Sequence, residues 1–129
     1  MKKVIFVGSS LKDLKEFPDD ARSEAGHAIY LAQLGERAIN AIPMTGFGSS
    51  MVLEVVIPED GDAYRAVYTV KFDTAVFVLH AYQKKSKTGA KVPTHDMNLV
   101  RSRLKHAQRR HDEIVKNRKE ERKNGRGSG

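Results

Sequence analysis

The sequence predicts one α+β domain, on three observations. Three runs rich in β-branched and aromatic residues, 51–57, 63–71 and 75–82, stand together in the middle of the chain. Segments with helical spacing of small and apolar residues lie on both sides of them. The chain has 129 residues and no cysteine, which suffices for one core, whereas two smaller cores would lack the disulfides that small domains lean on.

Taken in order, Val4-Ile5-Phe6-Val7 is a short strand. Ser9 and Ser10 then stand as caps before Leu11, Leu14 and Phe17, whose spacing of three predicts a short helix. Pro18 breaks it, and Asp19 and Asp20 suit the positive end of a second helix reaching about Gly35. Ala21, Ala25, Ala28, Ile29 and Ala32 share one side of that helix, and side chains this small predict close packing between two helices. Periodicity fails over residues 36–50, where Pro43, Gly46 and Gly48 predict a long connection able to serve as a binding loop.

The three central runs, separated by Pro58-Glu59-Asp60-Gly61-Asp62 and by Asp73-Thr74, read as an antiparallel meander. In the middle run Tyr64, Ala66, Tyr68 and Val70 alternate with Arg65, Val67, Thr69 and Lys71, so Arg65 faces away from the tyrosines. Thr94 is a suitable cap for a last helix, with Met97, Val100, Leu104, Ala107, His111 and Ile114 as its apolar stripe, docked through Ala107 and weaker beyond. After Val115 no apolar residue remains, which predicts a domain over 1–115 and a basic, frayed tail over 116–129.

Charge narrows the function classes. The net charge is +7, yet residues 1–100 hold 12 basic and 12 acidic side chains, and the whole excess lies in the last 29 residues, with 11 basic against 4 acidic. An anionic partner, nucleic acid or an acidic protein, fits this balance better than a membrane surface. The apolar runs are far shorter than the roughly 20 residues of a membrane span, and the start lacks a signal-sequence core, so a cytoplasmic protein is expected. With no cysteine, and with five histidines lacking metal-ligand spacing, no metal or cofactor is expected. Gly46-Phe47-Gly48-Ser49-Ser50 lacks the lysine of a phosphate-binding loop and reads as a plain loop.

The informative cluster is Arg65 on the middle strand, His80 and Tyr82 on the last, and Lys84, Lys85, Lys87 and Lys91 beyond it. His80, Tyr82 and Lys84 share strand parity, while register decides whether Arg65 joins their face. Metal-free RNA cleavage needs a group to take the 2′-hydroxyl proton, cations to stabilise the phosphate and a group to protonate the leaving 5′-oxygen. Arg and Lys suit the second task, and His or Tyr the proton transfers. Plainer roles compete: His80 as a partly buried histidine, Tyr82 as packing, Arg65 paired with Glu54 across neighbouring strands, and the lysines as solvated charge.

Tyr64-Arg65-Ala66-Val67-Tyr68, then Val78-Leu79-His80-Ala81-Tyr82-Gln83-Lys84-Lys85-Ser86-Lys87, and then a helix starting near Thr94 carry a resemblance. Over about residues 3–108 the chain resembles the phage-derived, HigB-like branch of the RelE superfamily of type II toxin–antitoxin toxins. The resemblance implies a microbial ribonuclease-like α+β fold, with two N-terminal helices packed on an antiparallel sheet and a further helix after the lysines. It implies an mRNA endoribonuclease that acts on the ribosome, inhibits translation and is neutralised by a helix-turn-helix, HigA-like antitoxin. Arg65 then matches the strand arginine that contacts the scissile phosphate, and Lys84, Lys85 and Lys87 match the basic motif after the strand. His80 and Tyr82 match its histidine or aromatic strand end, and Lys91 extends the RNA-binding lysines. Two positions depart from the pattern: Thr45 stands where a lysine often precedes the loop glycine, and Val56 where a basic residue often follows the strand glutamate. The alternative is a noncatalytic RelE-fold protein that binds RNA or antitoxin through the same surface.

Overall fold

The computed structural model describes residues 1–48, 51–85 and 92–127. Its elements are β1 (Lys3–Phe6), α1 (Ser10–Lys15), α2 (Asp19–Gln33), β2 (Ala41–Pro43), β3 (Val52–Glu59), β4 (Asp62–Thr69), β5 (Ala75–Lys84) and α3 (Thr94–Gly127). The five strands form one sheet in the order β1-β5-β4-β3-β2. The chain is therefore an α+β fold, with N-terminal helices on one sheet face and a C-terminal helix on the other.

The meander of β3, β4 and β5 is antiparallel as expected. Its first turn is made by Asp60 and Gly61, both at positive φ (48° and 83°), as a two-residue hairpin requires. The sheet as a whole is mixed rather than antiparallel, because β1 runs parallel to β5, from Lys3 opposite Ala75 to Phe6 opposite Val78. A connection through two helices and three strands lets β1 enter beside β5 in the same direction, and no hairpin constrains it. The expected plain connection over 36–50 contains β2, which pairs with β3 from Ala41 opposite Val55 to Pro43 opposite Leu53. Proline at its end suits an edge strand.

α2 buries Ala21, Ala25, Ala28, Ile29 and Ala32, the stripe read from the sequence. Their small size brings it close to the sheet, on β3, β4 and β5, rather than to a second helix. Under it lie Leu53, Val55, Ile57, Ala66, Tyr68, Val76 and Val78. The opposite face carries Val52, Val67, Ala75, Phe77 and Leu79, covered by Val100 and Ala107 of α3. The α3 stripe stays docked past Ala107. His111 accepts or donates one hydrogen bond with Thr74 Oγ1 at 2.9 Å and stacks on Phe72, and Ile114 is buried. Thr94 sits one position inside the helix, and it is the Pro93 carbonyl that accepts from the Met97 N–H. From Lys116 through Gly125 every residue is exposed, yet α3 continues as helix to Gly127. No described helix is long and apolar enough to cross a membrane.

The parity of β5 changes along its length. Val78 pairs with Tyr68 and His80 with Val67, so Leu79 is an extra residue, a bulge. Up to and including it the odd positions 75, 77 and 79 face α3, and after it His80 and Tyr82 do.

A candidate active site under the last helix

Register settles which strand residues meet. Arg65 lies directly opposite Tyr82 on β5 and Val56 on β3, while Glu54 opposes Val67. Glu54, Arg65 and Tyr82 thus share the α3-facing side, away from Tyr64 and Tyr68. One oxygen of Glu54 accepts twice: from Arg65 Nη1 at 2.5 Å and from the Tyr82 hydroxyl at 3.2 Å. The glutamate side chain is 4% exposed and the arginine 17%. The cross-strand ion pair anticipated as the plain role of Arg65 is therefore present, and it is the heart of the cluster. Arg65 Nε is buried and makes no hydrogen bond among the described residues.

Tyr82 is pushed above the phenol value of 10.0, first by burial and then by the Glu54 carboxylate, with Arg65 opposing. It keeps its proton at neutral pH, as its hydrogen bond to Glu54 requires, and so does not serve there as a base. His80 stacks on its ring, 5.0 Å between centroids and 15° between planes. Both imidazole nitrogens are occupied: Nε2 lies 2.6 Å from Asp96 Oδ1 and Nδ1 3.2 Å from Arg103 Nη1. Arginine only donates, so Nδ1 is the acceptor and the ring hydrogen sits on Nε2, pointing at the carboxylate. A histidine held this way steadies Tyr82 and ties β5 to the first turn of α3.

Arg103 fastens the same corner. Its Nη1 also donates to the carbonyl of the bulge residue Leu79 at 3.0 Å, and its Nη2 donates to Ser9 Oγ at 2.9 Å. The chain passes close to this guanidinium at Gly8, where φ is +57° and an added Cβ would stand 2.7 Å from Arg103 Nε.

Above the Glu54–Arg65 pair opens a cavity of about 570 Å³ lined by Ile42, Pro43, Thr45, Glu54, Arg65, Val92 and Met97. Thr45 is on its wall and Val56 sits opposite Arg65, so both departures from the basic pattern fall at the cluster itself. Lys84, the last residue of β5, is 9% exposed, and Lys85 is exposed. Lys87 and Lys91 lie outside the described residues. Among the described residues no group of three or more His, Asp or Glu is placed to hold a metal ion.

The structure brings Arg65, His80 and Tyr82 together and adds three residues to them. Glu54 had been visible only as a partner for Arg65. Asp96 and Arg103, from α3, carried no local signal, because the contact is made 16 and 23 residues along the chain from His80.

A family model described as "Phage derived protein Gp49-like (DUF891)" matches residues 12–105, a span that includes the whole cluster. Comparisons with curated proteins and with solved structures give no match.

Proposed function

The chain belongs to the phage-derived Gp49-like (DUF891) family, and from that membership, the HigB-like sequence pattern and the Arg65 cavity we propose a metal-independent endoribonuclease toxin of a type II toxin–antitoxin system, with the RelE-type ribonuclease fold. The observation that carries this reading is a cation and a carboxylate, Arg65 and Glu54, lining one cavity, with the Tyr82 phenol hydrogen-bonded to that carboxylate. These are the three groups that 2′-hydroxyl attack on a phosphodiester asks for. Arg65 would stabilise charge on the phosphate as the 2′-oxygen adds to phosphorus. Glu54 would take the 2′-hydroxyl proton, since His80 is occupied by Asp96 and Arg103 and Tyr82 holds its own proton. The P–O5′ bond then breaks to leave a 2′,3′-cyclic phosphate, and Tyr82 supplies the proton to the leaving 5′-oxygen. Lys84 and Lys85, with Lys87 and Lys91, would hold the RNA strand. The substrate would be mRNA on the ribosome, and the neutralising partner a small helix-turn-helix antitoxin.

The test is cleavage of mRNA on programmed ribosomes in the presence of a chelator, by wild type and by Arg65→Ala. Cleavage by wild type, lost by at least about 100-fold in the variant, is expected, because one donor to a developing oxyanion is worth that much. Intact messages with wild type across several coding sequences would overturn the reading.

A second reading, a noncatalytic RNA- or antitoxin-binding protein, draws on Thr45 and Val56 and on the neutralisation of Arg65 by Glu54. It predicts tight ribosome or antitoxin binding with unimpaired growth on expression.

A further inference from the structure

The outer edge of α3 carries a pattern that the cavity chemistry does not use. Arg101, Lys105, Arg109, Asp112, Lys116, Lys119 and Lys123 follow at steps of four, four, three, four, three and four, and all seven are exposed. At 3.6 residues per turn they fall within a sector of about 80° and extend over about 33 Å. Six of the seven are cations, and Asp112, the one acid, accepts a hydrogen bond from Gln108. The opposite side of the helix is the docked one, with Val100, Ala107 and Ile114 buried. Most of the chain's positive excess is thus laid out as a straight row along one exposed edge of the helix.

The row begins at the cavity. Met97, one turn before Arg101, lines the Arg65 cavity with Thr45. The Arg101 guanidinium lies 5.9 Å from the Phe47 ring, and its Nη2 would be 3.7 Å from a Cβ on Gly46. A polyanion seated at Arg65 and leaving past the 45–47 loop therefore meets Arg101 first and the other cations in sequence. We propose that this edge of α3 is a track for the phosphate backbone of single-stranded RNA, holding the strand that continues out of the Arg65 cavity. The choice of RNA over other polyanions rests on the reading above, while the track rests on the charge row and its continuity with the cavity.

The test is equilibrium binding of fluorescent, uncleavable 2′-O-methyl RNA, about 25 nucleotides long or about 6, across a salt series, since phosphate contacts show in the salt slope. The proteins are full-length wild type, Lys116→Gln/Lys119→Gln/Lys123→Gln, and the same triple changed to Arg. For the long RNA the Gln triple should bind about tenfold more weakly, with a log–log salt slope shallower by about 2, at about 0.7 per lost phosphate contact. The Arg triple should match wild type, and the short RNA should bind all three alike. Equal affinity and slope of the Gln triple and wild type for the long RNA overturns the track, and so does wild-type preference for polyglutamate over RNA. Ribosomal mRNA cleavage is scored separately. Wild type that binds long RNA through the track yet never cleaves sinks the nuclease reading alone. Cleavage with an unaltered Gln triple sinks the track alone.

Discussion

At the scale of single residues, the cluster depends on one oxygen of Glu54. Removing a partner from a largely buried ion pair strands the other charge, so Glu54→Ala is expected to cost about 3 kcal/mol of stability. Adding Arg65→Ala should cost much less than the sum, with a coupling of at least about 1 kcal/mol in a urea-denaturation cycle. Additive losses would mean that the pair is not formed in solution. Tyr82 makes a second prediction. Its phenol keeps its proton after the unfolded chain has lost it, so above the unfolded value of 10.0 the folded state binds more protons and stability falls as pH rises. Tyr82→Phe removes that contribution, and its denaturation midpoint should decline less steeply than wild type above pH 10. Parallel declines would show that burial does not perturb this phenol. Much of this level was readable in advance. Strand alternation placed Arg65 opposite the tyrosines, and the Arg65–Glu54 pair was foreseeable from two charges on neighbouring strands. The division of proton-transfer roles was not, because the ring nitrogens of His80 are claimed by α3 residues distant in the chain.

At the scale of elements, the bulge at Leu79 decides the site. It rotates His80 and Tyr82 onto the α3 side, and Arg103 satisfies the carbonyl it leaves out of the ladder. Arg103→Leu leaves that carbonyl, His80 Nδ1 and Ser9 Oγ without their donor, and a loss of about 2–3 kcal/mol is expected. If the role is positioning, kcat should fall with little change in KM. A stability loss without that split would confine Arg103 to the fold. Gly8→Ala should cost about 1–2 kcal/mol in thermal unfolding, since alanine resists its positive φ and Arg103 must yield to a Cβ. The bulge has no composition signal: Val78-Leu79-His80-Ala81 reads as uninterrupted strand. β2 was equally silent, three residues ending in proline that become a strand by pairing with β3.

At the scale of the whole molecule, the sheet is a wall between two cores, and the N-terminal helices and α3 each seal one side. The last part of α3 belongs to neither core. Truncation after Val115 should leave thermal unfolding cooperative and the stability within about 0.5 kcal/mol of wild type, since residues 116–125 bury almost no apolar area. Loss of a cooperative transition would reveal a contact that their exposure conceals.

The sequence by itself determined the element types, the helix stripes, the meander and the charge asymmetry, because each follows from short-range periodicity or from turn chemistry within a few residues. Even the small-residue face of α2 was legible, although its partner was mistaken, since a stripe of alanines says that something comes close without saying what. Tertiary structure alone sets that β1 joins β5 in parallel, that a bulge turns His80 and Tyr82 toward α3, and that one oxygen of Glu54, beside a cavity, accepts from both Arg65 and Tyr82. These depend on register and on contacts between residues far apart in the chain, and a one-residue shift in pairing moves a side chain to the opposite face of the sheet.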